Sequence, residues 1–523
     1  MTSAKGPAVS TSPSSVLSSR ATRWGLPLLG VLAAIQGAAP NVAATALVGA
    51  SRGLDMVAGD QALAASMQTL AIAASVISTG LLADRIGRRR MLVWALAVAT
   101  VGQLVVGLAP VPAVYIAGQG LSGVGLGAVY AAAFAYIQVL AAPGRLPAAV
   151  ATFAAVSGAS SVAITFGGGM LAGVDWRTAF LLVPLLSVVS IGAVLAVLPV
   201  VPPSVSEPRD VVGQVLLVLG MVTFLYGVSQ FAASLTSPLT WALTAAGVAV
   251  LALAAWTQTR VRHPFFPVSL FRRPSFLAAL CAGFVFNFGV AASFLQLTNL
   301  WQYVLGLAPA EVALWQLPIT VTSIAGAVLL GRLMTRGMST RTSLLLGGVL
   351  SAAGFLAGAL ARDVDSPVAF VPAGVLIALG VTASALPYGT LVLSEAPAEF
   401  YGPVTSSRTT FGQLFYSLGT ALSTVVVTQV TIGGVVSRLR ATGMSESDIT
   451  ASLNAVGTYA KDATRPSEDV FAVAVAAYRD GFGLLMVGLA VLCLGVGVLG
   501  AWLVSRAGRS APAAAAPAPE VPV

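Results

Sequence analysis

The sequence predicts an all-α polytopic membrane protein with fourteen transmembrane helices and both termini in the cytoplasm. Three observations lead there. Of 523 residues, 57% are apolar and only 9% charged, with a mean hydropathy of +0.91, whereas soluble domains carry about 25% charged residues. The apolar residues gather in runs near the ~20 residues that a helix needs to cross a ~30 Å hydrocarbon core. The basic residues gather in alternate links between those runs. Such a composition excludes a cytosolic enzyme, a secreted disulfide scaffold and a disordered chain.

Residues 1–23 form a Ser/Thr-rich cytoplasmic tail, and the run 24–50 that follows is 27 residues long. A signal-peptide core has about 7–15 residues, so this run reads as a retained first helix. Runs 62–82, 91–109, 114–140, 148–173 and 180–201 complete a set of six. Runs 211–232 and 239–256 stand apart, bracketed by the Pro-rich, charged links 202–210 and 260–274. A second six follows at 276–305, 312–334, 343–361, 368–393, 404–436 and 481–504. Each run must be helical, because an open strand in lipid leaves backbone groups unpaired. The expected organisation is therefore a six-helix bundle over 24–201, two interposed helices with their links over 202–274, and a second six-helix bundle over 275–505. That second bundle includes an outer loop at 437–480, where Ser445 and Asp448 have the capping-box spacing of a short surface helix. Residues 506–523 form a cytoplasmic tail, Ala/Pro-rich from Ala511.

With the N-terminus inside, 19 of the 27 basic residues fall in cytoplasmic segments. The short outer loops hold only Arg52, Arg177 and Arg362. The rest lie in loop 437–480, and long loops count little in the positive-inside rule. The net charge of +9 is thus a topology signal and not a nucleic-acid footprint. Cys281 and Cys493 sit inside apolar runs and His263 is the single histidine, so no disulfide framework, metal site, cofactor or catalytic residue is expected. Gly118, Gly120 and Gly123 satisfy G-x-G-x-x-G, but within an apolar helix and with no acid before Asp175. The dinucleotide fingerprint needs an acid about 20 residues on. Gly123 and Gly127 have the GxxxG spacing of close helix packing instead.

The link between the second and third runs reads Gly80-Leu81-Leu82-Ala83-Asp84-Arg85-Ile86-Gly87-Arg88-Arg89-Arg90. Four arginines as inside anchors explain the charge but not Asp84 or the glycines. The stretch resembles the signature of the major facilitator superfamily, G-x-L-x-D-R-x-G-R-[RK]-[RK], at every fixed position. The resemblance implies the major facilitator fold and a gating loop made of Gly80, Asp84, Arg85, Gly87 and Arg88. In it Gly80 allows close helix approach and Gly87 makes a tight turn. Asp84 would lie against the positive N-terminus of a helix in the other half, a contact of about 0.3–1 kcal/mol. A worn copy, Gly331-Arg332-Leu333-Met334-Thr335-Arg336, has Thr335 in place of the aspartate and fits two homologous halves.

Six, two and six helices resemble the fourteen-helix drug:proton antiporter branch, as do Asp175-Trp176-Arg177, Asp210-Val211-Val212-Gly213 and Leu300-Trp301-Gln302-Tyr303 in that order. Gln36 departs from the branch's acid five residues before Asn41-Val42-Ala43, Gln119 from its arginine, and Ala163-Ile164 from its Gly-Pro. All 18 acids lie in links, tails or helix ends. A charge at mid-bilayer costs at least ~2.5–3.5 kcal/mol and is kept only for a reason. A cavity without an acid has no counter-ion for a cation, so the expected substrate is neutral or weakly polar and lipophilic, and proton coupling stays open. The polar residues left at mid-helix are the cavity candidates: Gln36, Asn41, Gln119, Asn287, Gln296, Asn299, Gln302, Tyr388 and Gln413. The resemblance turns Gln36 and Gln119 toward the central cavity. The competing reading for any of them is interhelical glue worth about 0.6–2 kcal/mol. Arg408 fits an inner gate or an inside anchor equally. The function implied is alternating-access export of a drug, antibiotic or secondary metabolite by a monomer in the plasma membrane. Its partners are the substrate and the bilayer, with no nucleic acid. A proton-independent facilitator, an importer, and a non-transporting receptor or assembly protein are the alternatives.

Overall fold

The computed structural model describes residues 19–141, 146–201, 210–232, 234–261, 264, 267–394, 401–462 and 464–510. The tail 1–18, most of the link 202–210, His263 and the tail from Ala511 lie outside the described residues, as does the side chain of Asp84. The expected runs appear as helices α1 (Ser19–Gly53), α2 (Ala58–Ile86), α3 (Arg88–Gly107), α4 (Pro112–Leu140) and α5 (Leu146–Val174). The sixth run appears as α7 (Leu182–Val197), preceded by a single turn, α6 (Trp176–Ala179). Asp175 caps α6 by accepting from the Arg177 amide at 2.9 Å. Then come α8 (Val211–Gln230), α9 (Pro238–Arg260), α10 (Pro274–Asn299), α11 (Pro309–Thr335), α12 (Thr340–Leu360), α13 (Val371–Ser394), α14 (Tyr401–Ala441), α15 (Glu446–Asp462) and α16 (Glu468–Ser510).

Among the described residues, thirteen helices are long and apolar enough to cross a membrane. The 29-residue α2, in the place of the second run, is not one of them. Three of its mid-helix polar residues turn inward: Ser66, Gln68 and Thr69 are buried, and each is hydrogen-bonded. The chain is an all-α, multi-pass plasma-membrane protein. Prolines inside these helices leave carbonyls without a donor, and neighbours supply one. Pro387 cannot serve the Ala383 carbonyl, and Ser343 Oγ donates to it from α12 at 2.8 Å.

Buried apolar side chains form two main groups, one drawn almost wholly from α1–α7 and the other from α10–α16. The packing pairs repeat between them. α1 packs on α5 as α10 packs on α14, and α3 packs on α4 as α12 packs on α13. Between the groups, α2 meets α14 and α5 meets α11. The pair α8–α9 covers the first of these seams. Ser78 of α2 donates to Gln214 Oε1 of α8 at 2.9 Å, and Gln429 of α14 donates to the Phe231 and Ala232 carbonyls at 2.9 and 3.0 Å. The GxxxG pair packs α4 on α2: a Cβ on Gly123 would stand 2.3 Å from the Gln68 carbonyl oxygen.

Candidate functional site

A cavity of about 170 Å³ lies where the two groups face each other, lined by α1, α4, α10, α13 and α14. Five sequence candidates meet in it: Gln36, Asn287, Tyr388, Arg408 and Gln413. Gln36 Nε2 and Gln413 Oε1 are buried without a hydrogen-bond partner, an unusual state for a buried amide and one that a ligand's polar atom would relieve. Asn287 Nδ2 donates to the Gly283 carbonyl at 2.8 Å, one helical turn back. Arg408 belongs to the cavity wall. Its guanidinium carbon stands 5.2 Å from the centroid of the Tyr388 ring, and the Tyr388 hydroxyl donates to the Arg408 carbonyl. Among the described residues, the lining contains one base and no acid.

The other candidates lie outside this cavity, and four of them tie parts of the fold together, although Gln119 Oε1 and Asn299 Oδ1 are also buried without a partner. Gln119, expected in the cavity, is fully buried and donates to the Tyr115 hydroxyl at 3.1 Å, one turn away on α4. Gln296 donates to Ser423 and Thr424 of α14 at 3.1 and 3.4 Å, holding α10 to α14. Gln302 sits in a π turn, Leu300–Val304, that ends α10, and donates to the Thr45 carbonyl of α1 at 3.1 Å. Asn299 lies just before that turn, outside the cavity lining. Asn41 accepts from the Tyr416 hydroxyl at 2.9 Å, joining α1 to α14. Tyr130, Phe286, Thr409 and Gly412 complete the cavity and were not singled out by sequence. On α14 a signal was present: residues 408, 409, 412 and 413 share one face at helical spacing.

Contacts between the two groups concentrate toward the end that carries α15. Gln302 to Thr45 is one. Thr69 and Ser417 share a hydrogen bond of 2.6 Å nearer the middle. On the α5–α11 seam, a Cβ on Gly169 would stand 2.5 Å from Ala313 Cβ and one on Gly173 2.9 Å from Ala310 Cβ. At the opposite end of the same helices, Gly158 and Gly331 have nothing within 4 Å of such an atom. Among the described residues, the seam is tightly packed at one end and slack at the other.

The loop 80–90 lies at the slack end. Gly87 joins α2 to α3 at φ +94°, a conformation side chains avoid. Arg88 donates to the Ala135 carbonyl of α4 at 2.8 Å, and Arg89 to the Leu195 carbonyl of α7, so both hold the loop within its own half. Arg85 is exposed. The close approach expected of Gly80 is absent: a Cβ there would meet Ala131 at an ordinary 3.7 Å. In the second copy the turn falls instead at Gly337, φ +107°, beyond Thr335. Gly87→Ala should cost about 1–3 kcal/mol of backbone strain. It should lower the thermal stability of the purified protein, whereas Gly80→Ala should leave it unchanged. Equal melting of the two variants would contradict the assignment.

The Major Facilitator Superfamily profile matches residues 24–420. The chain is 30% identical over 369 residues to the multidrug resistance protein B homolog of Mycobacterium tuberculosis, covering 69% of this chain and 67% of that protein. It is 29% identical over 367 residues to the tetracenomycin C resistance and export protein of Streptomyces glaucescens, covering 68% and 67%. The crystal structure of a bacterial homologue of the human lysosomal transporter Spinster, inward-facing and unoccupied, superposes with a TM-score of 0.68. At 15% identity it covers 94% of this chain and 98% of that one, a likeness of fold. Together these findings place the chain in the Major Facilitator Superfamily, to which it belongs as a secondary transporter of the efflux type and not an enzyme.

Proposed function

We propose that the chain exports neutral or weakly polar lipophilic molecules by rocking two six-helix bundles, 24–201 and 275–505, about the central cavity. The interposed pair within 202–274 stays on the α2–α14 seam. One observation carries this reading: the cavity draws its walls from both halves, offers unpaired amide atoms from Gln36 and Gln413, and holds no acid among its described residues. A buried amide orients a polar atom without demanding charge, while Arg408 repels a cation. A single chain supplies the whole cavity, so a monomer suffices. With both termini in the cytoplasm, the shut α15 end faces outward and the slack end inward, which makes the present state inward-facing. The resistance and export names of the relatives support the outward direction. Gly80, Asp84, Arg85, Gly87 and Arg88 would then form the inner gate.

A proton-independent facilitator is the second reading, favoured by the same acid-free lining, since a proton relay within the membrane ordinarily uses Asp, Glu or His. The deciding test is flux in proteoliposomes with and without an imposed pH gradient, offering neutral and cationic amphiphiles together. Uphill movement of a neutral compound, collapsed by an uncoupler, establishes antiport with its proton site away from the cavity. Downhill movement indifferent to pH establishes the facilitator. Efficient export of a permanently charged quaternary dye would sink the substrate class.

A further inference from the structure

A second cavity, of about 400 Å³, lies under α15 on the far side of the shut barrier. α14 and α16 both run on past their apolar spans, and α15 folds down across them. Its Ile449, Leu453 and Val456 pack against Val435, Leu439 and Ala474 of those extensions. Beside this cluster α15 roofs the cavity. Four aromatic rings line the space: Tyr303 from the π turn, Tyr459 from α15, and Phe471 and Tyr478 from α16. Tyr459 meets Phe471 edge-on, with centroids 5.1 Å apart. The polar groups are few, mainly Gln61, Thr428, Thr431 and the tyrosine hydroxyls, and no acidic or basic side chain is among the described lining residues. Arg465 stands over the Phe471 ring at 4.9 Å, and other charges of this end sit in a neighbouring cleft. Arg362, Arg438 and Arg479 pair with Asp363, Asp365 and Asp480 in the neighbouring cleft.

The roof is tied to the end of α10 in its own half and to α1 of the other. The Tyr459 hydroxyl donates to the Tyr303 carbonyl at 3.0 Å, and the Arg52 guanidinium of α1 stands over both rings at 5.5 and 5.8 Å. Separating α1 from α15 would open this cation–π stack and uncover the cavity. Aromatic walls, sparse neutral hydrogen-bonding groups and a described lining without charged side chains select a neutral, ring-bearing lipophile.

We propose that the cavity under α15 is a second binding site for neutral aromatic lipophiles, an exit station reached after the central cavity, with α15 as its lid. This rests on the outward export reading above. The test is photolabelling of the full chain in nanodiscs with phenyl(trifluoromethyl)diazirine, with and without excess of its non-photoreactive parent, with adducts mapped by mass spectrometry. Competition separates a saturable site from partition into lipid. Gly457 lines the cavity, and a Cβ there would meet nothing within 4 Å, so Gly457→Trp fills it. Asn454→Trp, on the exposed face of α15, is the control.

The expected result is saturable adducts on α15 and the 471–478 stretch of α16, lost in Gly457→Trp and kept in Asn454→Trp. Adducts near Asn287 and Gln413 should persist in both variants and report that each is folded. Adducts on α15 that the parent does not displace, or that survive in Gly457→Trp, overturn the site. Flux of the same compound is measured in parallel. Saturable labelling without flux defeats the export reading and leaves the site standing, whereas flux without labelling at α15 defeats the site alone.

Discussion

Gly169→Leu is expected to stop transport while the protein stays folded, by making the present state untenable. The α5–α11 seam is closed at the α15 end by glycine against alanine, and a Cβ on Gly169 would stand 2.5 Å from Ala313 Cβ. A leucine cannot be accommodated there without parting the helices. Overpacking of this kind costs about 1–3 kcal/mol and sometimes more. The strain falls only on the state in which the seam is shut at this end, so it biases the two states against each other by roughly 5–150-fold. Gly158→Leu, on the same helix at the slack end, meets no atom now and should meet α11 only when that end closes. The two substitutions should therefore stall the cycle in opposite states. A cysteine at position 413, in a background lacking Cys281 and Cys493, reports which side of the membrane reaches the cavity. Reaction from the outside for Gly169→Leu and from the inside for Gly158→Leu is expected. Wild-type labelling and flux in both would remove the seam from the mechanism.

The helices were legible because lipid imposes a simple rule, and their ends were misread where lipid stops. The run 481–504 begins thirteen residues after α16 does, since Asp469, Arg479 and Asp480 make the earlier turns polar without making them less helical. α15 was legible from its cap: the Asp448 amide donates to Ser445 Oγ at 3.2 Å. The site was half legible. A polar residue inside an apolar run is visible in sequence, but the direction it points is decided by packing. Gln36 and Gln119 both stand where the antiporter-like pattern implies charge, yet Gln36 meets the cavity and Gln119 meets Tyr115. Gln296 and Gln302 differ from Gln413 only in having a neighbour within reach. Tyr416 escaped notice as a tyrosine among many, although its hydroxyl joins the two halves at Asn41.

Gln36→Glu is expected to change what the transporter accepts. Gln36 is 4% exposed, its Nε2 has no partner, and it lines an acid-free cavity. A carboxylate there would attract a bound monocation at 4 Å by about 4 kcal/mol at an effective dielectric of 20. Part of that gain is offset by desolvation of the ions and by repulsion from Arg408 in the same wall. A net gain of about 1.4 kcal/mol would already raise cation selectivity tenfold. The measurement is efflux of a quaternary dye against a neutral aromatic compound in the same vesicles, where retained neutral flux shows that the variant is folded. A carboxylate can also take up and release a proton, so flux through Gln36→Glu should gain sensitivity to an uncoupler. Arg408→Gln should move selectivity the same way by removing the repulsion, without conferring that sensitivity. If neither substitution shifts the ratio of cation to neutral flux, the cavity between α1 and α14 is not where the substrate's charge is read.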